Sequence, residues 1–81
     1  MMRQRFTYIA MIMVTMDIII NGETHTVTEK LSLKGLMEQF LLEADKIAME
    51  RNGQIVPAEA YAEVWLCPGD QIEIVHFIGG G

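Results

Sequence analysis

Apolar and polar positions along this chain fall into stretches of different period, separated by turn residues. Met16 to Asn21 is apolar and β-rich, with three isoleucines in succession. The Asn21-Gly22 pair after it tolerates positive φ at both central positions of a type I′ turn. Thr24 to Thr28 then alternates in character, so a β-hairpin is predicted at the head of the body.

The period changes next. Leu33, Leu36, Met37, Phe40 and Leu41 stand at i, i+3, i+4, i+7 and i+8. One apolar stripe of this kind predicts a helix of about three turns. Ser32 is placed to cap it, with Leu31 and Leu36 as a hydrophobic staple across the entry. Gly35 weakens the first turn by about 1 kcal/mol relative to alanine, too little to overturn the helix.

Beyond the helix, Ile47 to Asn52 reads as a short strand and Asn52-Gly53 as a second turn. Gln54-Ile55-Val56 is a brief extended piece stopped by Pro57. Ala58 to Leu66 is mixed, an irregular stretch with a helical turn. Pro68-Gly69-Asp70 makes a tight turn, and Gln71 to Ile78 is the last strand. Alternation puts Ile72 and Ile74 on one of its faces, Glu73 and Val75 on the other. The order is hairpin, helix, short strands, final strand. That is an α+β chain of the β-grasp (ubiquitin-like) kind, a mixed sheet of four to five strands with one main helix crossing one face. Residues 16–78 form the single domain. Residues 1–15 are an apolar leader, an extra strand or a non-native start, and 79–81 a flexible glycine tail.

Length and charge narrow the function. A chain of 81 residues holds one modest core and no separate nucleotide and substrate halves. The net charge is −5. From Met16 onward it is −7, with Lys30, Lys34, Lys46 and Arg51 against all eleven acids. Such a body repels phosphate, which excludes nucleic acid as a partner, and is steered toward basic protein surfaces. Arg3, Arg5 and the apolar run after them imitate a signal peptide, yet no small-x-small cleavage site follows. Asp17 interrupts any run long enough to cross a bilayer, so no membrane association is expected. The lone Cys67 has no disulfide partner, which fits a cytoplasmic setting.

Candidate chemistry is sparse. No nucleophile–base pair, phosphate-cradling loop or metal-ligand cluster stands out, so the domain is not expected to be an enzyme. Cys67, beside a Pro-Gly turn, reads as a small, partly buried hydrophobe. His25 and His76 are two ligands without a third. Met11, Met13 and Met16 imitate a thioether copper site, but the isoleucines and valine between them favour an apolar strand. Glu59 and Glu63 read as a solvated face. Val75 and Phe77 share a face near the end of the last strand, where an exposed apolar patch suits partner docking. The other reading is that the helix or the leader covers them.

The feature outside this pattern is Gly79-Gly80-Gly81. Three glycines after a strand are either a frayed end or a tail thin enough to thread a narrow channel. The second reading leaves an unhindered terminal carboxylate, ionised at neutral pH and inert until a partner activates it.

The stretch Asn52-Gly53-Gln54-Ile55-Val56-Pro57, the aromatic Tyr61, Pro68-Gly69-Asp70-Gln71-Ile72-Glu73-Ile74 and the terminal glycines resemble the ThiS-type sulfur carriers of thiamine biosynthesis. The resemblance covers about Met16 to Gly81. The Gly-Asp and the Gly-Gly end also resemble the small subunit of molybdopterin synthase, while Ile-Val-Pro followed by an aromatic favours the thiamine branch. The resemblance implies that an E1-like adenylating enzyme activates Gly81 with ATP, no cofactor being bound by the carrier itself. A sulfur donor protein then supplies the sulfur of a thiocarboxylate, and a thiazole synthase receives it. Gly79 and Gly80 would thread into the partner. The residues before Met16 and the third glycine depart from the family pattern. A molybdopterin-synthase subunit, a protein tag and a non-covalent interaction module stay open as alternatives.

Overall fold

The computed structural model describes residues 14–77. These residues hold five strands, β1 (Thr15–Ile20), β2 (Glu23–Thr28), β3 (Ile47–Arg51), β4 (Gln54–Val56) and β5 (Gln71–His76). They form one sheet in the order β2-β1-β5-β3-β4. The helix α1 (Leu33–Gln39) crosses the face that carries the core. Only the central β1–β5 pair is parallel. The other pairs are antiparallel, two of them closed by the predicted hairpins. This is the β-grasp arrangement.

The turns form for the reason their residues suggest. Asn21 and Asn52 sit at φ 49° and 52°, followed by Gly22 and Gly53 at 85° and 86°. Both central positions of each turn are therefore left-handed, the type I′ geometry that matches strand twist. Gly69, at φ 83°, follows Pro68 in a turn closed by the Asp70 N–H on the Cys67 carbonyl at 3.0 Å. That is the position of a type II turn that favours glycine.

The core gathers the inward positions of each element. Met16, Ile18 and Ile20 of β1, Ile47 and Met49 of β3 and Ile72 of β5 are buried against Leu33, Leu36 and Met37 of the helix. Tyr61 and Leu66, from the irregular stretch, close one end. The Ser32 hydroxyl accepts the Gly35 N–H at 3.0 Å, the expected N-cap. Leu31 folds over the same turn, where a Cβ on Gly35 would lie 2.7 Å from its Cδ1. Gly35 thus trades helix propensity for the staple.

The helix is shorter than its apolar stripe. It ends at Gln39 after two turns, with Phe40 as its C-cap. Leu41 turns left-handed at φ 57°, its N–H donates to the Glu38 carbonyl, and the Leu42 N–H donates to the Met37 carbonyl. Together these bonds make a complete Schellman motif, with leucine where glycine is usual. The spacing put Phe40 and Leu41 on the buried stripe, and the early stop of the helix takes both out of the core. Both are exposed, Leu41 by 88%. The stripe carried no signal of the stop, because no glycine or proline marks it.

Candidate functional site

The last strand delivers the chain toward the glycines from an anchored root. Beyond Ile20, where β1 ends, the side chain of Asn21 takes over the ladder. Its Oδ1 accepts the Ile74 N–H at 2.7 Å and its Nδ2 donates to the Ile74 carbonyl at 3.2 Å. On the opposite side β3 pairs β5 as far as His76, and the Phe77 N–H donates to the Lys46 carbonyl at 2.9 Å. The strand is thus held on both sides along most of its length. Gly79, Gly80 and Gly81 lie outside the described residues.

Val75 and Phe77 stand where alternation put them. They are exposed by 54% and 57%. Ala48 of β3 lies opposite Val75 in the register. The helix packs on the other face, against Ile18 and Ile72, and so does not cover them. Glu50 and Glu73 face each other one pair further along the same surface.

On the helix side, the end of β5 borders a groove of about 290 Å³ whose walls include His25, Phe40, Leu42, Ile74 and His76. Both histidines line this groove, from strands β2 and β5 that β1 separates. His25 sets its ring edge-on to Phe40, with centroids 5.5 Å apart, and its Nε2 lies 3.8 Å from Glu23. Among the described residues no three His, Cys, Asp or Glu side chains are grouped to hold a metal. Met16 is a core residue, while Met11 and Met13 lie outside the described residues. Glu59 and Glu63 are both exposed.

The start of β5 is built differently. Asp70, 6% exposed, accepts the Arg51 Nε–H at 2.9 Å, the Asn52 amide at 3.0 Å and the Cys67 N–H at 2.8 Å. The Asn52 Oδ1 in turn accepts the Gln71 N–H at 2.9 Å. One carboxylate thereby ties the β3–β4 hairpin to the Pro-Gly turn and the first residue of β5. Burial alone would raise its pKa. The Cys67 N–H, the Asn52 amide and the Arg51 guanidinium outweigh that and hold it below the ordinary carboxylate range. The bond to Asp70 also raises Arg51 further, against desolvation.

Cys67 corrects the sequence reading. It is exposed, not partly buried, and its Sγ lies 3.5 Å from Arg51 Nη2. The Pro-Gly turn holds its backbone in the Asp70 network and leaves the side chain outside. Asp70 itself was legible only as part of a motif. Its role depends on Arg51 and Asn52, about twenty residues earlier in the chain and joined to it only by the fold. Among the described residues no helix is long and apolar enough to cross a membrane.

Comparison with known proteins adds to this geometry. The model of the ThiS family matches residues 18–81. The sulfur carrier protein ThiS of Bacillus subtilis is 46% identical over 50 residues, which is 62% of this chain and 76% of that one. A thiazole synthase of Paramagnetospirillum magneticum is 41% identical over 66 residues, covering 82% of this chain. The chain spans only about a fifth of the length of that relative. The crystal structure of the thiamine biosynthesis protein ThiS from Geobacter metallireducens superposes with a TM-score of 0.72 at 30% identity. It covers 82% of this chain and all of that one.

Proposed function

The chain belongs to the ThiS family, the sulfur carriers of thiamine biosynthesis, and from that premise we propose that Gly81 is its working residue. A carboxylate oxygen of Gly81 attacks the α-phosphorus of ATP on an E1-like adenylating enzyme, and pyrophosphate leaves. The acyl adenylate is an electrophile where the free carboxylate is not. A hydrosulfide equivalent from a sulfur donor protein attacks the acyl carbon, AMP departs, and a thiocarboxylate remains. A thiazole synthase accepts that sulfur onto its acceptor, and an oxygen from water or from the acceptor's own carbonyl replaces it on the acyl carbon to restore the carboxylate.

The observation that carries this reading is the reach of the family match, which runs through Gly79 and Gly80 to Gly81. Two features support it. A segment similar to this chain lies within a chain named thiazole synthase, and sharing one chain raises the effective concentration of donor and acceptor. The described part also ends on an anchored strand flanked by exposed Val75 and Phe77, a patch fitted to guide a partner onto the tail. Gly79 and Gly80, without side chains, suit a narrow channel. The carrier works in the cytoplasm, where its thiocarboxylate meets reducing conditions and its free Cys67 stays unpaired.

Intact mass tests the reading. Protein incubated with adenylating enzyme, ATP and a sulfur source is expected to gain about 16 Da on the C-terminal peptide, oxygen exchanged for sulfur in a carboxylate ionised at pH 7. Deleting Gly80 and Gly81 together, which leaves less than a Gly-Gly end, is expected to abolish the gain without lowering Tm. An unmodified wild-type mass would leave a non-covalent interaction module in its place.

A further inference from the structure

Leu41 is a leucine that the fold does not use. It occupies the left-handed position of the Schellman motif, φ 57°, where a Cβ is disfavoured and glycine is the ordinary choice. The hydrogen bond made there comes from its backbone N–H to the Glu38 carbonyl, which glycine would make equally well. Burial does not compensate the strain either, since the residue is 88% exposed. Strain kept at an exposed side chain points away from stability and toward contact with something outside the domain.

Its surroundings say what that contact is. Phe40 and Leu42, on either side of it, line the groove of about 290 Å³ whose opposite wall is Ile74 and His76 of β5, the strand that leads to the glycines. Leu41 therefore stands between two apolar lining residues of a mixed groove beside the root of the tail, on the helix side of the sheet. Val75 and Phe77 face away from it on the other side. Glu23 lines the groove, and the chain around Leu41 is acidic, with Glu38 one turn before it and Glu43 and Asp45 after it. Among the described residues, Glu43 meets only Lys46, at 3.6 Å and well exposed, and neither Glu38 nor Asp45 makes an ion pair.

We propose that Leu41 and the groove behind it dock into an apolar pocket edged with lysine or arginine side chains on the protein that takes sulfur from the tail. The proposal rests on the carrier reading. Thiazole synthase is the partner it names, because a segment similar to this chain lies within a chain of that name. A basic rim complements the four carboxylates, Glu23 in the groove included, and steers the approach. The leucine supplies the anchor at its centre. The carrier then meets this partner on both sides of its tail, with Leu41 on one and the Val75–Phe77 patch on the other.

Leu41→Gly separates contact from folding, because it removes the side chain and relieves the backbone at once. In the full chain, titrated by calorimetry into thiazole synthase, it is expected to raise Kd about tenfold, the scale of a moderate anchor residue. Its Tm is expected to match or exceed that of the wild type. Leu41→Asn, which also tolerates the left-handed region, should weaken binding similarly. Glu38→Lys combined with Asp45→Lys should weaken it further and flatten its salt dependence. Unchanged Kd in Leu41→Gly overturns the proposal, as does a fall in Tm of several degrees, tighter binding by the lysine variant, or no binding by the wild type. Sulfur loading of Gly81, followed by mass in the same samples, is a separate readout. Normal loading with unchanged Kd removes Leu41 and spares the carrier, whereas absence of loading in the wild type removes the carrier reading itself.

Discussion

The two ends of β5 are built on opposite principles. At its start, a buried carboxylate collects a guanidinium, an amide and a backbone N–H. No buried side-chain polar atom among the described residues lacks a partner. Near its finish, Phe40, Leu41, Val75 and Phe77 face solvent. A domain of this size has a small margin of stability, and a group of four exposed apolar side chains near one strand end calls for a reason, even with Ile55 and Trp65 exposed elsewhere. The polar end holds the hairpins in register; the apolar end is free to meet a partner. Strength and recognition are separated along a single strand.

The sharpest way to break this contrast is to open the polar end. Asp70→Ala leaves Arg51, the Asn52 amide and the Cys67 N–H without their common acceptor. It is expected to destabilise the domain by about 2–3 kcal/mol in urea titration, with sulfur loading of the folded fraction intact. A loss below about 0.5 kcal/mol, the level of an ordinary surface change, would mean that the network does not hold the sheet.

Acid titration sharpens the same point. Asp70 is depressed in the folded state. Its contribution is therefore present above the unfolded carboxylate pKa of about 3.9 and is lost as pH falls through the lower folded value. Stability of the wild type should fall more steeply below about pH 4 than that of Asp70→Asn, whose amide does not titrate. Equal slopes would place the acid sensitivity elsewhere.

The apolar end should respond in reverse. Val75→Ser and Phe77→Ser are each expected to change stability by no more than about 0.5 kcal/mol, since neither side chain leaves water on folding to any great extent. Binding to adenylating enzyme or thiazole synthase is expected to weaken. If Phe77→Ser instead unfolds the domain at moderate urea, the patch is structural and the contrast between the ends fails.

Much of this architecture is written in local signals. Asn21-Gly22, Asn52-Gly53 and Pro68-Gly69 each specify a turn through backbone conformations that few other residues tolerate. Ser32 caps the helix from within one turn of it. The alternation in β5 separates Ile72 from Val75 because a strand has period two whatever lies beside it. With the turns, the helix start and the strand faces legible, the β-grasp order followed. The terminal glycines and the motif around Asp70 pointed to the family by resemblance.

What the chain alone left undecided lies wherever the cause is distant. The helix stop after Gln39 is the local exception, hidden because a leucine holds the left-handed position that glycine ordinarily marks. The apolar stripe would have run on. Asp70 matters through Arg51 and Asn52, and Asn21 completes the ladder of a strand more than fifty residues away. Cys67 is exposed because its turn is held from the Asp70 side. Backbone preference acts over a few residues and is therefore visible in sequence. Burial, polar satisfaction and exposure are properties of surfaces that meet only after folding, and for them the tertiary structure alone decides.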